Sequence, residues 1–250
     1  MDRAGGVLPS RAAAIKACRA ALAEGAGPVL LTGAAGTGKT WLWKHLAAGW
    51  VGDGRWLGVD LTPRSDAGEF FGRIGHALGL PEADAIEEAR RAVADELRER
   101  AVDGRRWLLV VDEAHNASAE LLEEIRVLSN RLGRPDGVAG IVLVGQTALA
   151  RRIETRPLAA LEARLAARIH LRALDVDEAR LFLSQQIAGR SWTWPQVEVL
   201  HREAAGNPQR LLRLASLLPT PPCGNAANIR KSVPARSFAP GRVCQMASVR

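Results

Sequence analysis

A glycine-rich turn between an apolar run and a helical pattern constrains this chain most strongly. Residues 27–33 read GPVLLTG, an apolar run between glycines that is typical of a buried strand. Residues 39–50 read KTWLWKHLAAGW and favour a helix. The turn between them fits the pattern G-x-x-x-x-G-K-[ST], with Gly33, Ala34, Ala35, Gly36, Thr37, Gly38, Lys39 and Thr40 in its eight positions.

This strand, turn and helix predict a phosphate-binding loop. Glycines let the backbone turn tightly, so that consecutive N–H groups can point at phosphate oxygens, and the helix that follows adds its positive N-terminal end. Lys39 is expected to reach the β and γ phosphates, and Thr40 to offer its hydroxyl to Mg²⁺. Trp41 is counted with this nucleotide-binding segment. The chain has 30 arginines and 4 lysines, so a lysine at position 39 supports a specific role for a compact ammonium.

A second motif is a pair of acidic residues at the end of another apolar run. Residues 105–115 read RRWLLVVDEAH, which predicts a buried strand that finishes at Asp112 and Glu113. Ligands of open parallel sheets bind at the carboxyl ends of the strands. Asp112 is therefore predicted to hold Mg²⁺ and Glu113 to polarise a water for attack on the γ-phosphate. The alternative is a strand end that is acidic by chance, which the pairing with the phosphate-binding loop disfavours.

Strand and helix patterns alternate along the first 174 residues. Strands are predicted at residues 27–33, 55–62, 105–115, 137–146 and 167–174. Helices are predicted at residues 10–24, with Ser10 as the cap and Gly25 as the end, and at 39–50, 66–79, 82–101, 118–132 and 147–166, the last interrupted near Pro157. This alternation predicts an α/β fold with a parallel five-stranded sheet flanked by helices.

The pattern changes after residue 174. Asp175 and Glu178 resemble a capping box, and only helical signals follow to about residue 217. The predicted organisation is an α/β core over residues 1–174, a small helical lid over 175–217 and a basic, disordered tail over 218–250. Residues 221–250 hold five of the net seven positive charges and no acid, so the charge gives the core little preference for nucleic acid.

Cysteine content and hydropathy predict a cytoplasmic location. The three cysteines, Cys18, Cys223 and Cys244, are scattered, which argues against a disulfide framework or a zinc site. The apolar runs are shorter than a bilayer requires, so no transmembrane segment is predicted. The first residues lack the apolar core of a signal peptide.

With both motifs placed, the chain resembles the AAA+ ATPases, and more narrowly the ExeA/MshM-type secretion ATPases and relatives with ORC/DEAH-type AAA+ domains. The resemblance spans residues 28–217 and is carried by LLTGAAGTGKT, LLVVDEAHN, IRVLSN, IVLVGQTALARRI, LEARLAARIHLRAL and AAGNPQRLLRLASLL. It implies a P-loop NTPase fold, with ATP and Mg²⁺ as cofactors. It also implies ATP hydrolysis that drives conformational change in a homo-oligomer with nucleotide at the subunit interfaces.

The resemblance implies roles for four further residues. Gln146 falls where the family has its first sensor, although it could instead cap a strand or start a helix. Arg164 and Arg168 fall where a subunit presents an arginine finger to its neighbour, although their i, i+4 spacing could instead place them on one solvated helix face. Arg210 resembles the second sensor of the lid. The family often has this arginine directly after the proline, where this chain has Gln209, so the register of the second sensor stays open.

Three functions remain open at this stage. The first is an ATPase, related to secretion or pilus assembly, that acts on an unidentified protein partner; it departs from the secretion type in lacking a transmembrane helix and a peptidoglycan-binding region. The second is an ATP-dependent DNA-binding regulator of the TniB-like transposition type. The third is a nucleotide-gated switch, in which Trp192 and Trp194 either contact a partner or pack the lid core. His115 is read as a loop residue to which the sequence assigns no role, since no further helicase signature accompanies it.

Overall fold

The structure, a computed structural model, describes residues 6–25, 27–50, 55–100, 107–132 and 139–218. Within these residues five parallel strands form one sheet in the order β2-β3-β4-β1-β5. The strands are β1 Val29–Gly33, β2 Arg55–Asp60, β3 Trp107–Asp112, β4 Ala139–Gly145 and β5 Ala167–Leu171. The predicted α/β fold is confirmed.

Ten α-helices accompany the strands in the described part of the chain. They are α1 Pro9–Glu24, α2 Lys39–Ala48, α3 Ala67–Leu78, α4 Ile86–Glu99, α5 Ala119–Leu132, α6 Thr147–Ile153, α7 Ala159–Glu162, α8 Val176–Gln186, α9 Trp194–Ala204 and α10 Pro208–Leu217. Short 3₁₀ turns lie at Ala114–Asn116 and Arg156–Leu158, the second at the interruption predicted near Pro157.

The predicted cap of the first helix is wrong. Pro9 occupies the first turn of α1, because the fixed φ of proline suits that position, and Leu8 rather than Ser10 is the N-cap residue. Ser10 lies inside the helix, and its hydroxyl donates to Glu178 instead of capping. The end of α1 at Gly25 is as predicted, with Gly25 in the left-handed region at φ 63°.

Two apolar layers cover the sheet. On one face Phe70, Ile74 and Leu97, from α3 and α4, are buried against the sheet together with residues of α5. On the other face Leu22 of α1 and Leu42 of α2 are buried against β1 and β3. Because β4 lies between β3 and β1, the residues that follow these three strands meet at one edge of the sheet.

The three C-terminal helices form their own apolar cluster. Leu183 of α8, Val197 of α9 and Leu211 of α10 are fully buried in it, and Leu8 from the N-terminal segment joins them. Trp192 belongs to this cluster, while Trp194 is 43% exposed with the Arg180 guanidinium 4.6 Å from its ring centre. The two tryptophans therefore divide between the alternatives given above, one in the core and one at the surface.

The capping box predicted at the start of α8 is half formed. Asp175 caps α8 by accepting from the Glu178 N–H, but the Glu178 carboxylate accepts from Ser10 instead of completing the box.

None of the helices in the described ranges is both long and apolar enough to cross a bilayer. The predicted tail from residue 219 onwards lies outside the described residues.

Candidate functional site

The loop between β1 and α2, residues 33–40 and here called the phosphate loop, depends on two glycines. Gly36 and Gly38 have φ values of 77° and 92°, which residues with a Cβ atom rarely adopt. The Lys39 side chain folds back over the loop, and its Nζ donates to the carbonyls of Gly33 and Ala34 at 3.1 Å each. Burial lowers the pKa of Lys39, and the carboxylates of Glu113 and Asp112 oppose that shift. A desolvated ammonium in this position favours an anionic ligand.

Asp112 at the end of β3 is held by three donors. Its Oδ2 accepts from the Thr40 hydroxyl at 3.1 Å and from the Trp43 indole Nε1 at 2.6 Å, and its Oδ1 accepts from the Glu113 N–H at 2.8 Å. The residue is only 3% exposed. Sequence reasoning missed Trp43. Its position one helical turn after Lys39 was the available signal, because that spacing turns its side chain towards the sheet.

The pair Thr40 and Asp112 fits magnesium. Mg²⁺ prefers oxygen ligands and is usually held by one or two protein groups together with substrate phosphates and water. A hydroxyl and a buried carboxylate 3.1 Å apart, beside the phosphate loop, supply that donor set.

Glu113 adopts a strained backbone at the end of the same strand. Its φ and ψ are 53° and 32°, in the left-handed region that a residue other than glycine occupies at a cost. Its side chain is 45% exposed, and its Oε2 lies 3.2 Å from His115 Nδ1 without hydrogen-bond geometry. Such strain is common at functional sites, because it directs a side chain that ordinary geometry would place elsewhere.

His115 lies between Glu113 and Gln146. The Nε2 atoms of His115 and Gln146 are 3.1 Å apart. Arg152 of α6 donates to the carbonyls of His115 and Ala117, which fixes this turn to the next helix. Gln146 is the N-cap residue of α6, as the helix-start alternative states, but its side chain makes no capping bond. Its amide instead contacts His115 at the cavity.

These residues surround one cavity of about 350 Å³. Its lining consists of Ala35, Gly36, Gly38, Lys39, Thr40, Glu113, Gln146 and Gln209. Most of the predicted site is therefore brought together, and Asp112 lies behind Thr40. Trp41 does not line the cavity; it is 47% exposed and stacks on His45 with ring centres 5.0 Å apart.

The helices α8 to α10, predicted above as a lid and given that name from here on, contact the phosphate loop through Asn207 and Gln209 rather than Arg210. Asn207 Nδ2 donates to the Ala35 carbonyl at 2.7 Å, and the Gln209 N–H donates to the Gly36 carbonyl at 3.4 Å. Neighbouring residues on a helix point about 100° apart, so Arg210 leaves the site and donates to the Glu203 carbonyl at 3.3 Å. Sequence reasoning had not given Asn207 a role, although its place as the residue before the helix-starting proline was a signal.

The two arginines predicted as candidate fingers lie outside the cavity. Arg164 is exposed in the turn after α7, and Arg168 lies within β5, so they do not share a helix face and that alternative is wrong. The Arg168 guanidinium is paired with Glu154 at 2.9 Å and with Glu162 at 2.6 Å. A role for either in hydrolysis thus requires a second subunit.

The chain is similar in sequence to a known domain family and to curated proteins. The family model described as "AAA domain" matches residues 22–153, which is more than half of the chain. General secretion pathway protein A of Aeromonas hydrophila is 31% identical over 201 residues, which cover 77% of this chain and 36% of that protein. Mu-like prophage FluMu DNA transposition protein B of Haemophilus influenzae is 31% identical over 99 residues, covering 40% of this chain and 31% of that protein. The chain spans about a third of the length of these curated relatives.

Solved structures share the fold at low sequence identity. Cdc6p from Pyrobaculum aerophilum superposes with a TM-score of 0.64 at 17% identity, covering 84% of this chain and 61% of that one. The Aeropyrum pernix ORC1 protein in complex with DNA gives a TM-score of 0.61 at 19% identity, covering 84% and 59%. The likeness places the sheet and the helices after it in a common architecture.

Proposed function

Since the chain belongs to the AAA+ ATPases and is ExeA-like in sequence, we propose that it binds Mg·ATP at this cavity and hydrolyses it to change conformation within an oligomer. One observation carries the proposal. Lys39 and Thr40 from one motif and Asp112 and Glu113 from another, 72 residues along the chain, converge on a single site. Cation, hydroxyl, buried carboxylate and accessible carboxylate are the set that phosphoryl transfer to water requires.

Binding falls to the phosphate loop and its partners. The Lys39 ammonium leaves the Gly33 and Ala34 carbonyls for the β and γ phosphates, and loop N–H groups hold the remaining oxygens. Thr40 and Asp112 would hold Mg²⁺, which, when bound, neutralises charge on the phosphate oxygens. Trp43 keeps the Asp112 carboxylate in one orientation through its indole N–H.

Hydrolysis falls to Glu113. Its carboxylate is accessible in the cavity and accepts a proton from a water aligned with the γ-phosphate. Gln146, beside His115, hydrogen-bonds that water or a γ-phosphate oxygen. Gln209 contributes the lid's neutral amide on the other side of the cavity.

An arginine from a neighbouring subunit completes the site in a homo-oligomer. Arg168 would first have to exchange two glutamate partners, whereas Arg164 lies exposed in a turn, so Arg164 is the better candidate. Mixing Arg164→Ala with Glu113→Gln tests this arrangement, because each inactive chain can supply what the other lacks. Hydrolysis should return in the mixture, and its absence there would argue against an arginine in trans.

The curated relatives support two proposals for the cellular process in which the chain acts. Similarity to a general secretion pathway protein favours secretion or pilus assembly. In this proposal the chain changes conformation in the cytoplasm and thereby acts on a bound protein partner. Similarity to a DNA transposition protein supports the alternative, an ATP-dependent DNA-binding regulator. A gel shift of the full chain with and without ATP separates the two, since the regulator would bind DNA far more tightly with ATP and with a steep dependence on salt.

Lys39→Ala tests nucleotide binding itself. Removal of the ammonium should weaken Mg·ATP binding on the order of 100-fold, because the phosphates lose their buried charge partner. Calorimetric titration measures the affinity. Lys16→Ala, at an exposed lysine of α1, is the control and should bind as the wild type does. Unchanged binding by Lys39→Ala would refute the site.

A further inference from the structure

Five consecutive carbonyls of the phosphate loop, from Gly33 to Thr37, accept hydrogen bonds. The Lys39 ammonium holds those of Gly33 and Ala34, and the lid holds the next two through the Asn207 side chain and the Gln209 N–H. The fifth, that of Thr37, accepts from the guanidinium of Arg11 in α1 at 2.9 Å. The first four of these hydrogen bonds come from three donors, Lys39 in the loop itself and Asn207 and Gln209 in the lid. Arg11 is the fourth donor, and the proposed function gives it no role.

Arg11 is buried to a degree unusual for an arginine. It is 4% exposed, and its Nη1 also donates to the Arg172 carbonyl at 3.1 Å and to the Ser10 hydroxyl at 3.0 Å. Burial lowers the pKa of Arg11, and the Glu178 carboxylate opposes that shift. Arginine keeps its proton in proteins, so a permanent positive charge lies beside the Thr37 carbonyl, on the side of the loop that faces α1.

The bond to Thr37 fixes the direction of a neighbouring N–H group. The Thr37 carbonyl and the Gly38 N–H belong to one planar trans peptide, in which C=O and N–H point in opposite directions. Since Arg11 holds the carbonyl on the α1 side, the Gly38 N–H is turned the other way, and Gly38 lines the cavity. With its φ of 92°, Gly38 would otherwise have wide freedom to rotate this peptide.

The same arginine is tied to the lid. The Glu178 carboxylate of α8 accepts from the Ser10 N–H at 2.7 Å and from the Ser10 hydroxyl at 2.8 Å. The Ser10 oxygen in turn accepts from Arg11. The lid, helix α1 and the phosphate loop are thereby connected by a chain of hydrogen bonds that runs from buried Glu178 through exposed Ser10 to buried Arg11. This connection is separate from the contacts of Asn207 and Gln209.

We propose that Arg11 is a positioning residue that holds the phosphate loop ready for the phosphates of a nucleotide, and that Glu178 couples its position to the lid through Ser10. This inference rests on the proposed function, because it names how the same site is kept ready. Arg11 touches the loop and not the ligand, so its loss weakens phosphate binding without removing a group that reacts.

Calorimetric titration of the full chain with Mg·ADP tests the role of Arg11. Arg11→Met should bind about tenfold more weakly, the effect expected for one hydrogen bond to a charged donor, and Arg11→Lys should recover part of the loss. In steady-state hydrolysis KM should rise and kcat stay near its wild-type value. Arg19→Met is the matched control, since Arg19 is exposed on the same helix about 12 Å further along, and it should bind normally.

Hydrogen exchange distinguishes positioning from a general structural role. In Arg11→Met, exchange should rise within residues 33–40 while β3 stays protected. Faster exchange throughout the sheet, or Mg·ADP affinity equal to the wild type, would overturn the inference. If Arg11→Met does not fold, Arg11→Lys and Glu178→Gln decide the question: a loss of about threefold in each supports the inference and unchanged affinity overturns it. A wild-type chain that does not bind Mg·ADP would refute the proposed function instead.

Discussion

The phosphate loop and the turn at residues 113–117, here called the Glu113 turn, lie at the same sheet edge but are held differently. The carbonyls of the phosphate loop are bonded from Gly33 to Thr37, and the adjacent Asp112 carboxylate has three donors. The Glu113 carboxylate is half exposed on a strained backbone, and its close neighbour His115 is not aligned for a hydrogen bond.

This difference suits the phosphate loop to nucleotide binding and the Glu113 turn to hydrolysis. A rigid loop loses little entropy when phosphate enters, so it favours affinity. A catalytic carboxylate whose hydrogen bonds form only with substrate in place can stay loosely held until then. Changes to the phosphate loop should therefore alter affinity, and changes to the Glu113 turn should alter turnover.

The largest effect should come from Gly36→Ala. A Cβ at this position would lie 2.7 Å from Gln209 Oε1 and 2.8 Å from Asn207 Oδ1, on a backbone with φ of 77°. We expect the free energy of unfolding to fall by about 2–4 kcal/mol and Mg·ADP affinity to be lost. Urea unfolding and calorimetry measure the two. Gly72→Ala is the control, an exposed helical glycine with open space around it, and should be neutral or stabilising.

Trp43→Phe should have the next largest effect. A smaller aromatic ring is kept, but the buried Asp112 loses its indole N–H donor, so about 1.5–3 kcal/mol of stability should be lost. The Mg²⁺ concentration needed for half-maximal ATP binding should rise about tenfold. Trp56→Phe alters the neighbouring ring, which packs edge-on against Trp43, without touching Asp112. An equal effect of both substitutions would assign Trp43 to packing alone.

His115→Ala probes the Glu113 turn. Because His115 lies between Glu113 and Gln146, its loss should reduce kcat roughly tenfold, a part of what a general base supplies, and leave Mg·ADP affinity unchanged. Calorimetry and steady-state kinetics on the same preparation provide both numbers. Weaker ADP binding with unchanged kcat would reverse the comparison.

The sequence predicted the parts of the site that the chain encodes locally. The phosphate loop and the acidic end of β3 are each built from consecutive residues, and their strand and helix neighbours can be read from the sequence beside them. The structure brings Lys39, Thr40 and Glu113 of these two motifs to one cavity. Burial and glycine spacing suffice for such elements, because each is built within about ten residues.

The contacts that hold the loop were not predictable in this way. Arg11 lies 26 residues from Thr37, Trp43 lies 69 from Asp112 and Asn207 lies 172 from Ala35. Their meeting depends on how helices pack over the sheet, which hydrophobic periodicity does not specify. The register of the lid helix stayed open for the same reason, since a shift of one residue decides whether Gln209 or Arg210 faces the cavity.

Arg168→Ala should have the smallest effect. It removes two exposed ion pairs, with Glu154 and Glu162, so stability should change by about 0.5 kcal/mol and Mg·ADP affinity should not change. Thermal unfolding and calorimetry check this. A large fall in hydrolysis by the assembled protein, with nucleotide binding intact, would instead identify Arg168 rather than Arg164 as the arginine supplied to the neighbouring subunit.

The central claim is tested most directly by Glu113→Gln, which replaces one oxygen of the accessible carboxylate with an NH2 group and so removes its negative charge. Mg·ATP affinity and the rate of phosphate release are measured on the same protein. The account predicts affinity within about twofold of the wild type and phosphate release lowered on the order of 100-fold or more, because the loop binds and Glu113 activates water. Hydrolysis at the wild-type rate would contradict it.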